Sequence, residues 1–390
     1  MKFRCFTWVV LTGLLAVLVL PVIFCQFRQG KQPVFYTMED FQLVKKIDAH
    51  VHINEGPSWL MQARKDNMRM ITLNTSIKQR DRAVRQRKAF PDRLAWATAF
   101  SLEGWDDPGW QEKTIVCLEE SFAMGAIAVK VWKNIGMSLR DSDGNFVMID
   151  DPQFDPVFDY LARNKIPLVG HIGDPKNCWL PLEEMTVKTD RKYFEAHPRY
   201  HMYLHPEYPS HAEIMDARDR MLARHPDLHF IGAHLGSLEW DVDELARRFD
   251  RYPNFAVDMA ERVCHLQLQS QENRNKVREF IIRYQDRLIY GSDFGSGLSR
   301  AGDPDSVLTG RMHHLWTEAW RYFATDELMK APEFDGTFRG LKLPAGVVDK
   351  IFRINAEKWF TGIPATFQQG ASWESSDWDC SSREQQAAGP

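Results

Sequence analysis

Lys46-Ile47-Asp48-Ala49-His50-Val51-His52-Ile53 reads as a β-strand that ends in two histidines one residue apart. On a strand, residues i and i+2 point to the same face, so His50 and His52 can converge on one cation at the strand's end. Alone, the pair says little. A chain with 13 histidines holds about 0.4 such triplets by chance, and this one gains weight only from the pattern of the remaining chain.

Seven more short apolar runs come after it, at 68–75, 94–102, 126–132, 166–172, 228–235, 254–259 and 287–294. Helix-period segments lie between them, among them 111–124, 156–164, 211–224, 242–252 and 273–284, with 346–360 after the last run. Such alternation marks a parallel sheet with crossover helices. Eight strand–helix units between 46 and 363 predict an α/β fold, a (β/α)8 TIM barrel with long βα loops after strands 5 and 8. A doubly wound open sheet is the alternative, but no Gly-x-Gly-x-x-Gly comes after the first run. The barrel makes a geometric demand: reactive side chains belong at the carboxyl ends of strands, where the βα loops build the site.

They fall there. The first strand ends in His50 and His52, the fourth in Lys130, the fifth in His171, the sixth in His234 and the eighth in Asp293. Two or three imidazoles with a carboxylate suit zinc or a similar divalent ion with one position left for water. Water in that position has a pKa near ~7 and is a ready nucleophile. Asp293 can ligate the ion and take the water's proton. His234 can ligate a second ion, or stay unligated and hydrogen-bond the substrate carbonyl or the water. Each residue also has a bland reading: a buried histidine satisfied by the backbone, a turn aspartate, a lysine that snorkels or forms an ion pair. Five such strand ends in one chain outweigh the single readings.

The ordered set resembles the amidohydrolase superfamily, in particular its amidohydrolase-related (amidohydrolase 2) branch, which contains decarboxylases and lactonases. The likeness lies in Ile47-Asp48-Ala49-His50-Val51-His52, Ala128-Val129-Lys130-Val131, residues 230–236 (FIGAHLG), residues 287–294 (RLIYGSDF) and Asn355-Ala356-Glu357-Lys358, and it covers 46–362. It implies that His50, His52, His171 and Asp293 hold the metal, with His234 beside it as acid, base or polarising group. It also implies a fork at Lys130, which in two-metal members is carboxylated and bridges the ions. One metal is the expectation, with Lys130 as the bridge if there are two. Zinc is favoured, and manganese and iron are compatible with the same donors. The chemistry implied is attack of water on an amide, ester or lactone carbon; the alternative is a lyase, either a decarboxylase or a hydratase. A non-catalytic binding protein on the same barrel is a third reading, disfavoured because no ligand position is substituted.

For the substrate side, Arg140 and Arg262 are candidate partners of a carboxylate, since arginine grips one through a bidentate fork. Trp132 and Trp179 are candidate apolar walls. Lys133, Arg300 and Trp105 lie near the same rim. His201 and His205 have i,i+4 spacing but lack the glutamate of a His-Glu-x-x-His motif and read as loop histidines.

Outside the barrel, 1–27 contains an apolar run from Phe6 to Phe24 behind Lys2 and Arg4, which reads as a membrane anchor or export signal. That would place the catalytic domain outside the cytoplasm. Val22-Ile23-Phe24-Cys25 only loosely resembles a lipoprotein box. Residues 28–45 read as a linker, and 364–390, rich in Ser, Glu and Gln, as a disordered tail. A net charge of -4 and no basic stripe with interleaved aromatics exclude nucleic acid as a partner. The partners expected are a small-molecule substrate and, through the N-terminal segment, a membrane; a homo-oligomer is allowed.

Overall fold

A computed structural model describes residues 34–53, 58–295 and 305–363. The anchor or signal at 1–27, the tail at 364–390 and Arg300 lie outside the described residues. Among the described residues no helix is long and apolar enough to cross a membrane.

The barrel strands are β1 (Lys46–His52), β2 (Met68–Leu73), β3 (Leu94–Ala97), β4 (Val129–Val131), β5 (Leu168–Gly170), β6 (Phe230–Gly232), β7 (Phe255–Asp258), β8 (Leu288–Ile289) and β9 (Phe294–Gly295). They form two parallel arcs, β3-β2-β1-β9 and β4-β5-β6-β7-β8. Hydrogen bonds carry the ring across both joints. On one side Thr98 N–H donates to Ala128 O (2.9 Å) and Lys130 N–H to Thr98 O (2.7 Å); on the other Ala49 N–H donates to Tyr290 O (3.0 Å). The single strand expected at 287–294 is therefore two pieces, β8 against β7 and β9 against β1. The architecture is the expected (β/α)8 barrel.

Two apolar layers follow from strand parity. Ile47, Ala49, Ile71, Leu73, Ala95 and Ile289 fill the barrel interior, whereas Val51, Met70, Leu94, Val129 and Val131 join the layer shared with the outer helices. In β1 this alternation is broken once. Asp48 pairs with Met70 but Val51 with Thr72, so one extra residue is bulged into β1. The bulge turns His50 and His52 toward the barrel mouth although Ile47 and Ala49 also point inward. Gly291 and Gly295 make room for them: a Cβ at either would lie 2.7 Å from the Cβ of His50 or His52.

The outer helices include Trp110–Ala123, Asp155–Arg163, His211–Arg224, Val242–Arg251 and Val263–Arg283. Ser210 and Glu213 form a capping box at the start of His211–Arg224, and Asp241 caps Val242–Arg251. The helix expected over 273–284 is the second half of Val263–Arg283, which breaks at Asn273. The stretch after Asp293, expected as a long loop, contains the helix Asp305–Ala324. Its buried Trp316 and Trp320 face the core. The helical segments between Ala345 and Trp359, expected to complete the outer ring, instead close the amino-terminal end of the barrel. Trp359, Phe360 and Ile363 pack there on Ile47, Ile127 and Val169, each large apolar side chain contributing about 1.5–3 kcal/mol by its burial. Residues 34–45 pack on the barrel too: Phe41 is buried, Lys46 Nζ donates to the carbonyls of Phe41 and Val44, and Trp320 Nε1 donates to Thr37 O.

Asp48 points outward from β1 and ties the first strand to the last. Its carboxylate accepts from Ser292 N (3.0 Å), Ser292 Oγ (2.5 Å) and Trp316 Nε1 (2.8 Å). Burial pushes its carboxyl up to about 6 against the hydrogen bonds that hold it down. Asp48→Ala leaves these buried donors unpaired and is expected to cost about 2–4 kcal/mol, read as a lowered Tm.

Candidate active site

The strand-end residues gather at the carboxyl mouth. His50 Nε2 and His52 Nε2 each lie 3.1 Å from Asp293 Oδ1. His50 is fully buried and its Nδ1 lies 2.8 Å from Asp258 Oδ2, so Nδ1–H donates and in the neutral ring Nε2 carries a lone pair. That lone pair faces Asp293 Oδ1, and neither atom has a hydrogen-bond partner among the described residues. Two acceptors at this distance repel unless a proton or a cation lies between them. Donor atoms about 2.1 Å from one zinc at near-tetrahedral angles stand ~3.0–3.5 Å apart, so the three donors fit a divalent ion.

The electrostatics agree. Burial and the Lys130 ammonium oppose a charge on His50, yet Asp258 and Asp293 raise it to about 9. The pocket asks for positive charge, and a metal binding there competes with that proton. Burial works against ionised Asp293, but His50 and His52 hold its carboxyl well below the usual range.

His234 lies in the turn just after β6 and is buried. Its Nδ1 lies 3.0 Å from Ala260 O, which can only accept, so the neutral ring presents a lone pair on Nε2. Burial keeps it neutral, helped by His171. In that form it can accept a proton or ligate an ion; it cannot donate to a carbonyl. Its ring centroid lies 4.9 Å from that of His50 and 4.3 Å from that of His171. His171 has its Nε2 3.6 Å from Asp174 Oδ1, and burial lowers it to about 4. Among the described residues the donor groups within 4.8 Å of one another are His50-His52-Asp293 and His234-Glu261-Asp293; His171 is in neither. Asp293, His234 and Glu261 all sit at positive φ (+59°, +59° and +55°), a strained backbone common at functional loops.

Lys130 is the middle residue of β4, buried, with no hydrogen-bond partner for Nζ among the described residues. Burial lowers it to about 8 while Asp258 and Asp293 pull the other way. Arg262 is buried beside Glu261 (Nη1 to Oε2 3.4 Å), and its Nε finds no acceptor among the described residues. Arg140 is exposed; its guanidinium lies over the Phe146 ring (3.7 Å) and donates to Gly144 O. Trp179 donates to Pro209 O (3.1 Å) and packs edge-on against His211. Trp132 is 44% exposed and lines a cleft of about 260 Å3 with Thr75, Ser76, Ser101, Lys130 and Asn134. Lys133 pairs with buried Asp174 (2.7 and 2.8 Å). His201 and His205 point to backbone carbonyls within their loop.

Three contributors are not among the residues that the sequence singles out. Asp258, at the end of the seventh strand, obeys the same strand-end rule and could have been found by it. It orients His50 and accepts from His234 N (2.9 Å) and Ala260 N (3.1 Å). Asp174 and Glu261 lie beyond strand ends, where no spacing marks them.

Two histidines away from the metal donors make stability depend on pH. Burial lowers His211 to about 4 and His265 to about 3, against an ordinary value of 6.5. Below pH 6.5 the unfolded chain takes up protons that the folded chain refuses, so stability is full above that value and falls as pH drops toward about 4. Urea midpoints measured across this window should fall steadily.

A barrel with imidazole and carboxylate donors at its mouth is an enzyme scaffold with room for a divalent ion. The amidohydrolase family model Amidohydro_2 matches residues 47–361. The chain belongs to the amidohydrolase family and is an enzyme; members of that family bind divalent metals. No curated protein matches the sequence. Among solved structures it is similar to 2,6-dihydroxybenzoate decarboxylase from Rhizobium (17% identity, 81% of this chain and 98% of that one, TM-score 0.46). It is also similar to 4-oxalomesaconate hydratase from Rhodopseudomonas palustris (12%, 77% and 78%, TM-score 0.42) and to dihydroorotase from Campylobacter jejuni (10%, 79% and 96%, TM-score 0.40).

Proposed function

We propose that this enzyme is a hydrolase that uses one zinc ion to cleave an amide, ester or lactone of a small, carboxylate-bearing organic substrate. The observation that carries the reading is the meeting of His50 Nε2, His52 Nε2 and Asp293 Oδ1, a cluster that a proton or a cation must hold together. The chemistry an ion supplies there is Lewis acidity, which brings the pKa of a water to about 7 and polarises a carbonyl. Asp293, kept ionised, takes the proton from the attacking water. His234 Nε2 offers a second acceptor for a proton, and Arg262, paired with Glu261 and with its Nε free of an acceptor among the described residues, adds positive charge beside the donors. His171 remains a candidate ligand whose ring would turn from Asp174 toward the ion.

The two buried cations, Lys130 and Arg262, also favour a second reading, a lyase acting on a carboxylated substrate at the same donors. The N-terminal segment would hold the barrel outside the cytoplasm. Elemental analysis of the wild type and of His50→Ala, with product analysis on each, tests the proposal. About one equivalent of metal, lost in the variant, with ring opening or release of an amine or alcohol, is the expected result. Released carbon dioxide, or water added without cleavage, moves the enzyme to the lyases. No metal after reconstitution removes the mechanism.

A further inference from the structure

We propose that Lys130 is the anion-binding residue of a substrate pocket beside the metal donors, and that this pocket takes a small carboxylic acid by its carboxylate. The inference rests on reading the barrel mouth as the active site, but not on which reaction occurs there. Strand parity aims the side chain: Val129 and Val131 belong to the outer apolar layer and Ala128 to the barrel interior, so Lys130 points inward. At the mouth it forms part of the cleft between the loops that come after β2, β3 and β4.

Lys130 is 2% exposed and its Nζ has no hydrogen-bond partner among the described residues. A buried, unpaired charge is costly, and proteins retain one where a counter-charge arrives later. The nearby carboxylates are already engaged. Asp258 accepts from His50 Nδ1 and from two backbone N–H groups, and Asp293 Oδ1 faces His50 and His52. The rest of the cleft has room for a carboxylate joined to a flat body: Thr75, Ser76, Ser101 and Asn134 offer hydroxyl and amide groups, Trp132 offers an exposed ring, and the other two charged side chains of the lining, Lys78 and Glu103, are of opposite sign and exposed. At about 260 Å3 the cleft falls at the small end of ligand sites, which run from ~300 to 1,000 Å3, so it holds one ring or a short chain. A carbamate on Lys130 would instead add a third negative group beside Asp258 and Asp293 and require a second ion.

Calorimetric titration of the full-length protein with benzoate and with its neutral analogue benzamide, each with and without metal, tests the proposal. Wild type should prefer benzoate by at least about tenfold in both states, Lys130→Arg should keep that preference, and Lys130→Met should lose it with unchanged metal content. The proposal is overturned by a preference that survives in Lys130→Met, by a wild type that binds benzoate no better than benzamide at millimolar concentration, or by loss of half the metal in Lys130→Met. Circular dichroism of both variants shows whether they fold, and Lys130→Arg decides the matter if Lys130→Met does not: loss of preference in a folded Lys130→Arg overturns the proposal. Failure of the hydrolase reading looks different: a wild type that discriminates between the two probes but hydrolyses no amide, ester or lactone.

Discussion

Asp293→Asn is expected to lower kcat by about a thousandfold and to strip most of the bound metal, while the Tm of the metal-free protein barely moves. The amide has the shape of the carboxylate but neither its charge nor its basicity, so a ligand and a proton acceptor disappear together. His50, raised to about 9 partly by Asp293, loses one of the two carboxylates that favour its charged form. The backbone should tolerate the change, because Asp293 sits at φ +59° and asparagine adopts that conformation readily. Metal analysis and turnover on a single preparation check the expectation. A variant that keeps both metal and rate would take Asp293 out of the site.

Asp258→Ala should be the most damaging single change to stability at the mouth. It leaves His50 Nδ1–H and the N–H groups of His234 and Ala260 without their acceptor, all of them buried. Removing one partner of such a buried network costs about 3–5 kcal/mol. His50 is also freed to rotate or change tautomer, and metal affinity should fall by about 10- to 100-fold. Asp258→Asn separates the two effects. Its single oxygen can serve His50 or the two backbone groups but not both, so it should keep more stability than alanine while still losing affinity. Urea unfolding and competition with a chelator give the two readings; equal affinity in all three proteins would make Asp258 a purely structural residue.

Much of this is legible in the sequence because strand parity and chain order are local properties. Eight apolar runs in alternation with helices define the barrel, and the rule that function lies at strand ends picks out His50, His52, Lys130, His234 and Asp293. Side-chain destinations are harder to read. Arg140 looks like a carboxylate ligand, but a tight turn brings Phe146 beneath its guanidinium. Arg262 looks no different in sequence and is buried beside Glu261. The bulge in β1 is invisible because it depends on pairing with β2. The role of Asp48 depends on Ser292 and Trp316, far away along the chain. The helix Asp305–Ala324 escapes for another reason: the long segment after Asp293 reads as a wall of the site, and that reading hides its helical period.

The clasp that Asp48 forms with Ser292 spans 244 positions of the chain, and the donors on either side of it, His50 and Asp293, come from the first and last strands. During synthesis the two histidines leave the ribosome long before their carboxylate partner exists. The arc from β4 to β8 can be assembled by neighbour-to-neighbour pairing, but the metal donors meet only when the final strand returns to the first. Such a late, long-range contact is slow to form. Capture of an ion by these donors would therefore be a finishing step of biogenesis, and a nascent chain stalled before residue 293 carries half of the donor cluster and an open edge on β1.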